Sequence, residues 1–350
     1  MSRDTLSDLL RGVRLRGAVF FYISFRDQWS AEGLPATQIA EGVMPGCEHV
    51  MEYHLLVKGT GWAAVSGLPP VKLAAGDLVM FPQGDRHVVS SAPGLEPIPA
   101  NAEWVCARRD DPKPVPIAYH HGIREPGVLM SKADADAILV CGFLGCDLRP
   151  FNPLVAALPR MLHLSAARAG DWVGRVMDQA VVESNNRRPG GDAVLERLSE
   201  MMFVDAARRY LDDLPEGATG WLAGLRDRYV GAALALMHER PEHPWSVDDL
   251  AHRVALSRSA LHERFVEYLG QPPMQYLASW RIQVGARMLR ESNRNVATIA
   301  LDVGYDSEAA FSRAFKRMVG SPPATWRKAQ AAAQDFSTET YSPGLRDPSS

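Results

Sequence analysis

Two stretches some fifty residues apart carry side chains able to hydrogen-bond base edges. In the first, Arg258, Ser259, His262 and Glu263 lie outward of Leu261 and Phe265 on a helical pattern. In the second, Ser307 stands at the start of a run in which Glu308, Ala309, Ser312 and Arg313 lie outward of Phe311 and Phe315. Arginine offers a bidentate donor fork to guanine, serine donates or accepts, and glutamate accepts from cytosine N4. Lys316 and Arg317, one turn further on, are placed to reach phosphate. Such groups read bases only from the N-terminal end of a helix that enters the major groove, braced by a preceding helix.

The surrounding sequence supplies those helices. Ser246 or Asp248 caps a short helix that turns Leu250, Ala251 and Val254 inward, and Ser257 caps the next, which ends at Gly270. The same grammar returns with Ile299, Ala300 and Val303 inward, Gly304-Tyr-Asp-Ser as turn and cap, and a helix from Glu308 that ends at Gly320. Between the two units, Pro273 to Arg290 reads as one helix about 27 Å long at 1.5 Å per residue. That length suits two recognition helices about one DNA turn, roughly 34 Å, apart. From Leu225 to Gln330 there are 15 Lys and Arg against 11 Asp and Glu, a net +4 that leaves −7 for the rest of the chain. A modest positive footprint thus sits at the C-terminal end. A plain helical bundle accounts for one such unit more easily than for two at this spacing.

The run Ile299 to Arg327 is similar, nearly position by position, to the signature of the AraC/XylS family of bacterial transcription regulators, with Trp326-Arg327 in place of the usual closing Tyr-Arg. The resemblance covers about 100 residues of the C-terminal part. It implies an N-terminal β-barrel, promoter DNA and RNA polymerase as partners, a small-molecule effector, a homodimer, and activation as the usual sign.

The N-terminal part agrees on its own terms. From Leu15 to Val105, short runs rich in β-branched and aromatic residues (Gly17 to Phe25, Tyr53 to Val57, Trp62 to Val65, Leu78 to Phe81) are divided by Gly and Pro, the texture of a sandwich or barrel. Further strands are expected at Gly127 to Met130 and from Ala137. Gly76 to His87 resembles the second cupin motif, with Ser91 where the usual Asn stands. At the place of the first motif the chain reads Cys47-Glu-His49-Val-Met-Glu-Tyr-His54. The resemblance therefore implies Cys47, His49, His54 and His87 as ligands for zinc or iron, with Cys141 as an alternative to Cys47. The competing expectation is an organic effector hydrogen-bonded by the same histidines, with no metal. Cys141 and Cys146 offer a redox pair as a remoter reading, and Tyr119-His-His121 reads as loop surface.

With 350 residues, 46% apolar and 23% charged, the chain fits two globular domains and a connection. Four cysteines are too few for a disulfide scaffold. No apolar run reaches the ~18 residues of a membrane span and the N-terminus lacks a signal-peptide profile, so a cytoplasmic location is expected. The expected architecture is α+β: a cupin-like barrel (1–150), a helical connector or dimerisation segment (151–220), an all-α double helix-turn-helix domain (221–330) and a flexible tail (331–350). Helices are expected at Trp172 to Glu183 and Ala193 to Leu211, the latter with Val194, Leu198 and Met201 on its apolar face. No catalytic residue is assigned. The alternative class is a metal-dependent cupin oxygenase or isomerase with an appended helical domain.

Overall fold

The computed structural model describes residues 4–13, 15–120, 122–166 and 189–339. It divides into a barrel unit, Val13–Asp147 with Pro153–Gly217, and a helical unit, Met1–Gly12 with Leu148–Asn152 and Ala218–Ser350.

Three ten-residue strands, β1 (Arg16–Phe25), β3 (His49–Lys58) and β10 (Ala137–Cys146), form the centre of the barrel unit. With β6 (Leu78–Phe81), β8 (Val115–His120), β9 (Ile123–Pro126) and β11 (Leu162–Leu164) they make a seven-stranded sheet in the order β11-β6-β3-β10-β1-β8-β9. It is mixed, because β8 runs parallel to β1. A four-stranded sheet, β2 (Ser30–Gly33), β7 (His87–Ser90), β4 (Thr60–Val65) and β5 (Val71–Ala74), runs in the order β2-β7-β4-β5. Phe25, Leu56, Phe81, Leu139 and Phe143 of the larger sheet and Ala63, Val65, Leu73 and Val89 of the smaller one share a single apolar core. This is the cupin-like arrangement.

Every residue of β10 is buried, which is why it reads as an apolar run without alternation. One face meets the barrel core; α5 (Gly191–Asp213) packs across the other side of β1 and β10, burying Leu195, Ser199, Met202, Phe203, Ala206 and Ala207. Tyr53 Oη lies 2.8 Å from Ser199 Oγ across this contact. The close approach requires Gly17, where a Cβ would lie 2.5 Å from Glu196 O and from Ser199 Cβ.

Several expectations are corrected. Gly127 to Met130 forms no strand: the strand is β9, and Gly127 turns the chain at φ +80° while Val128 and Leu129 are exposed. Short helices lie at α2 (Ala36–Val43), at α3 (Ala102–Cys106), which Asn101 caps, and at α4 (Pro153–Ala157). The buried stripe of α5 is offset from the expected one, leaving Val194 and Met201 exposed, and α5 belongs to the barrel unit rather than to a separate connector. The helix expected at Trp172 to Glu183 lies outside the described residues.

In the helical unit follow α6 (Trp221–Arg226), α7 (Arg228–Glu239), α8 (Val247–Arg253), α9 (Arg258–Leu269), α10 (Pro273–Glu291), α11 (Val296–Asp302), α12 (Glu308–Val319) and α13 (Pro323–Glu339). The tail expected from residue 331 is thus helical to Glu339. An N-terminal helix, α1 (Thr5–Gly12), joins this unit: Gln283 Nε2 on α10 donates to Gly12 O at 2.7 Å, and Gln283 Oε1 accepts from Phe151 N at 3.0 Å. Buried Tyr276 ties α6 and α7 to α10, its hydroxyl 3.0 Å from Trp221 Nε1 and 2.7 Å from His238 Nε2. A second core gathers Ile282, Ala286 and Leu289 of α10 with Ile299, Val303, Phe311 and Phe315.

Candidate nucleic-acid interface and barrel cavity

Each recognition helix is set by the local chemistry on either side of it. Ser246 caps α8 in a capping box, its Oγ accepting from Asp249 N at 3.1 Å while Ser246 N donates to Asp249 Oδ2 at 3.2 Å. The Ser246 hydroxyl, donating to Oδ2 at 2.5 Å, and then the Ser246 N–H hold the exposed Asp249 carboxyl below its usual range. The turn passes through Ala255 at φ +57° and closes with Leu256 N donating to Ala251 O at 2.9 Å. Ser257 Oγ then accepts from Ala260 N at 3.2 Å to start α9. In the second unit Asn295 caps α11 through Thr298 N at 2.7 Å, Gly304 turns at φ +88°, and Tyr305 N donates to Ala300 O at 2.9 Å. Ser307 Oγ accepts from Ala310 N at 3.2 Å to start α12. Gly270 and Gly320, both left-handed, end the two helices.

Arg258, Ser259, His262 and Glu263 are exposed on α9; on α12, Glu308, Ala309, Arg313 and Lys316 are exposed, as is Ser307 at its cap, with Ser312 half-buried. Arg258 pairs with Asp248 at 3.3 Å with both side chains largely exposed, an arrangement that adds little stability and leaves the guanidinium recruitable. Behind these faces two arginines act as struts. Arg281 donates to Pro241 O at 2.7 Å and His243 O at 2.8 Å, fixing the loop into α8. Arg327 donates to Leu289 O in the last turn of α10 at 3.0 Å and to Arg294 O in the connection to α11 at 2.6 Å.

In the barrel, β3 and β7 bring together Glu52, His54 and His87. His54 Nε2 is 2.7 Å from His87 Nε2, and the Glu52 oxygens stand 3.8 Å and 3.7 Å from those two nitrogens. His54 Nδ1 meets Cys141 Sγ at 2.8 Å, His87 Nδ1 meets Asp85 O at 2.9 Å, and His87 stacks on Phe81 with centroids 3.5 Å apart. Burial raises the Glu52 pKa to about 8 and lowers that of His87 to about 4. Burial and the facing His87 depress His54, and burial raises the Cys141 thiol. Burial thus disfavours the charged form of each of these groups. Glu52, His54 and Cys141 line a cavity of about 60 Å³ walled by Phe21, Ile23, Leu34, Trp104 and others, with Arg124 and Tyr119 also in its wall.

The structure unites His54 and His87 but leaves Cys47 and His49 elsewhere. His49 and His54 are an odd number of residues apart on one strand, so the pleat sends them to opposite faces. His49 Nε2 lies 2.7 Å from Pro82 O, and Cys47 is buried against Gly145. Glu52, two residues before His54 and on its face, takes the place the sequence reading gave to them. Cys141 touches the far ring nitrogen of His54 rather than joining the cluster as a fourth donor. Cys146 is five residues further along the same strand, facing away from Cys141, which separates the suggested redox pair.

Residues 250–329 match the model of a helix-turn-helix domain and residues 4–212 that of a cupin. A putative AraC-like transcription regulator of Streptomyces lividans is 34% identical over 284 residues, covering 80% of this chain and 87% of that one. The chain belongs to the AraC-like transcription regulators. The HTH-type transcriptional regulator AlkR of Acinetobacter baylyi is 27% identical over 330 residues, 93% of this chain and 99% of its own. Among solved structures, the DNA-binding domain of AdpA in complex with a target DNA is 29% identical, covers 31% of this chain and 97% of that chain, and has a TM-score of 0.30. This AraC-like regulator is a DNA-binding transcription regulator with a cupin-like N-terminal domain, and the enzyme alternative falls away because relatives along nearly its whole length are regulators. No helix among its described residues is long and apolar enough to cross a membrane.

Three features of the AraC-like regulator escaped the sequence reading. The Asn295 cap carried a signal, an Asn just before an apolar helical run. Glu52 carried one too, since it shares the strand face of His54. The arginine struts carried none, because their acceptors are distant backbone carbonyls.

Proposed function

We propose that this regulator reads promoter DNA with α9 and α12 in successive major-groove segments, and that a small molecule in the barrel cavity sets how well it does so. The observation that carries the reading is the pair of independently capped helices whose N-terminal faces expose polar side chains on one bundle. Their spacer, α10, has 19 residues, about 28 Å at 1.5 Å per residue. Arg258, Ser259, His262 and Glu263 contact one set of bases; Ser307, Glu308, Ala309, Ser312 and Arg313 contact the other, and Lys316 and Arg317 contact phosphate. The effector acts by binding two arrangements of the protein unequally. In this reading the protein works in the cytoplasm as a homodimer, with Val194 and Met201 on the outward face of α5 available for contact, and activates transcription through RNA polymerase, as its family resemblance implies.

A gel-shift titration on the regulator's own upstream region across a salt series tests the DNA reading. Specific complexes surviving at salt that releases random duplex are expected; equal affinity for both sinks it.

A further inference from the structure

We propose that Glu52, His54 and His87 hold a first-row divalent transition ion, zinc or ferrous iron, whose remaining coordination positions open onto the barrel cavity. Two imidazole nitrogens and a carboxylate oxygen already lie within 4.8 Å of one another. An ion bound at ~2.0–2.2 Å places adjacent donors roughly 2.9 Å apart at octahedral angles and roughly 3.4 Å apart at tetrahedral ones. The imidazole nitrogens stand 2.7 Å apart, and Glu52 faces them with both oxygens, Oε1 3.8 Å from His54 Nε2 and Oε2 3.7 Å from His87 Nε2, so a rotation of the carboxylate with small ring shifts closes the site.

The hydrogen bonds around the cluster prepare its lone pairs. Asp85 O can only accept, so His87 carries its proton on Nδ1 and aims a bare Nε2 at Glu52 and His54. His54 has Cys141 Sγ at its Nδ1, so moving its proton there frees its Nε2 as well, with sulfur as the acceptor. Two other observations fit a cation bound there. Glu52 Oε2 is buried with no hydrogen-bond partner, an arrangement a cation would relieve. Gly33, paired with His87 between β2 and β7, keeps the approach to Nε2 open: a Cβ at residue 33 would lie 2.1 Å from that nitrogen.

The donor set names the ion class. Two neutral imidazoles and one carboxylate with open positions suit ferrous iron or zinc, and not calcium or magnesium, which take oxygen ligands. The inference deepens the reading of the cavity as the effector site, because an effector carrying a donor atom would complete the coordination. Metal binding is measured without DNA, so its failure and that of the regulator reading are separable.

Chelator-stripped full-length protein is titrated with Zn²⁺, and anaerobically with Fe²⁺, against a chromophoric competitor, together with E52Q, H87Q and the distant control H49Q. One ion per chain is expected for wild type and H49Q, with affinity reduced at least about 100-fold in E52Q and H87Q. The more tightly held ion is the assigned metal. Because E52Q is isosteric and is checked by circular dichroism, the test stands even if H87Q fails to fold. Absence of stoichiometric binding of both ions by wild type, or wild-type affinity in E52Q, overturns the proposal.

Discussion

Ala255 and Gly304 occupy the same turn position in the two helix-turn-helix units, both in the left-handed region, at φ 57° and 88°. Each is followed by the residue whose N–H reaches back five positions, Leu256 to Ala251 and Tyr305 to Ala300. The geometry is shared while the residue is not. A side chain in this region costs ~1–2 kcal/mol, offset in part by the ~0.5–1 kcal/mol of extra freedom that glycine loses on folding. Ala255→Gly is therefore expected to stabilise the protein by about 0.5–1 kcal/mol. Gly304→Ala is expected to destabilise it more strongly, because the new Cβ would lie 2.8 Å from Arg281 Nη2 and 2.9 Å from Glu242 Cα. Urea unfolding followed by far-ultraviolet circular dichroism reads both; a lower midpoint for Ala255→Gly would contradict the argument.

On the DNA side, Arg313→Ala is expected to cost about 1–3 kcal/mol of discrimination between the promoter and a duplex mutated under α12. Lys316→Ala should weaken binding to both duplexes alike and flatten the salt dependence by about one phosphate contact. Fluorescence anisotropy against both duplexes separates the two. Unchanged affinity for Arg313→Ala would mean that α12 is not engaged.

The capping box gives a pH prediction. Asp249 is held below its ordinary value by hydrogen bonds from Ser246, so its contribution to α8 is fully present above the ordinary carboxylate range and fades as the pH falls through the depressed value. In Ser246→Ala the carboxyl should titrate closer to the ordinary range. Carbon-detected NMR titration of Asp249 checks this, and an identical titration in the variant refutes it.

Legibility followed locality. The helix-turn-helix units could be read because their caps, turns and apolar spacings lie within a few residues of one another, as Ser257, Gly270 and Ser307 illustrate. Most strands could be read for the same reason, but β8 and β11 were not: Tyr119 and His120, expected on loop surface, lie in β8 with Tyr119 buried, and near Gly127 an apolar run is left exposed beyond β9. The barrel cluster was half legible: His54 and His87 were found, whereas strand parity excluded His49 and admitted Glu52. That α1 belongs with the helical unit was not legible, since it depends on Gln283 bonding Gly12, 271 residues away.

The seating of α5 on the barrel yields the remaining prediction. Gly17 lies beneath Glu196 and Ser199, and the helix can approach only because residue 17 lacks a side chain. Gly17→Ala places a methyl 2.5 Å from a backbone carbonyl, which rotamer changes cannot relieve, so α5 must lift. Overpacking of this kind costs ~1–3 kcal/mol. The lift should also break the bond between Tyr53 Oη and Ser199 Oγ, so Ser199→Ala should matter much less in the Gly17→Ala background than alone. Hydrogen exchange is expected to quicken along the buried stripe from Leu195 to Ala207 while β4 and β5, on the other sheet, keep their protection. Unchanged exchange in α5 would show that the helix is not held by this contact.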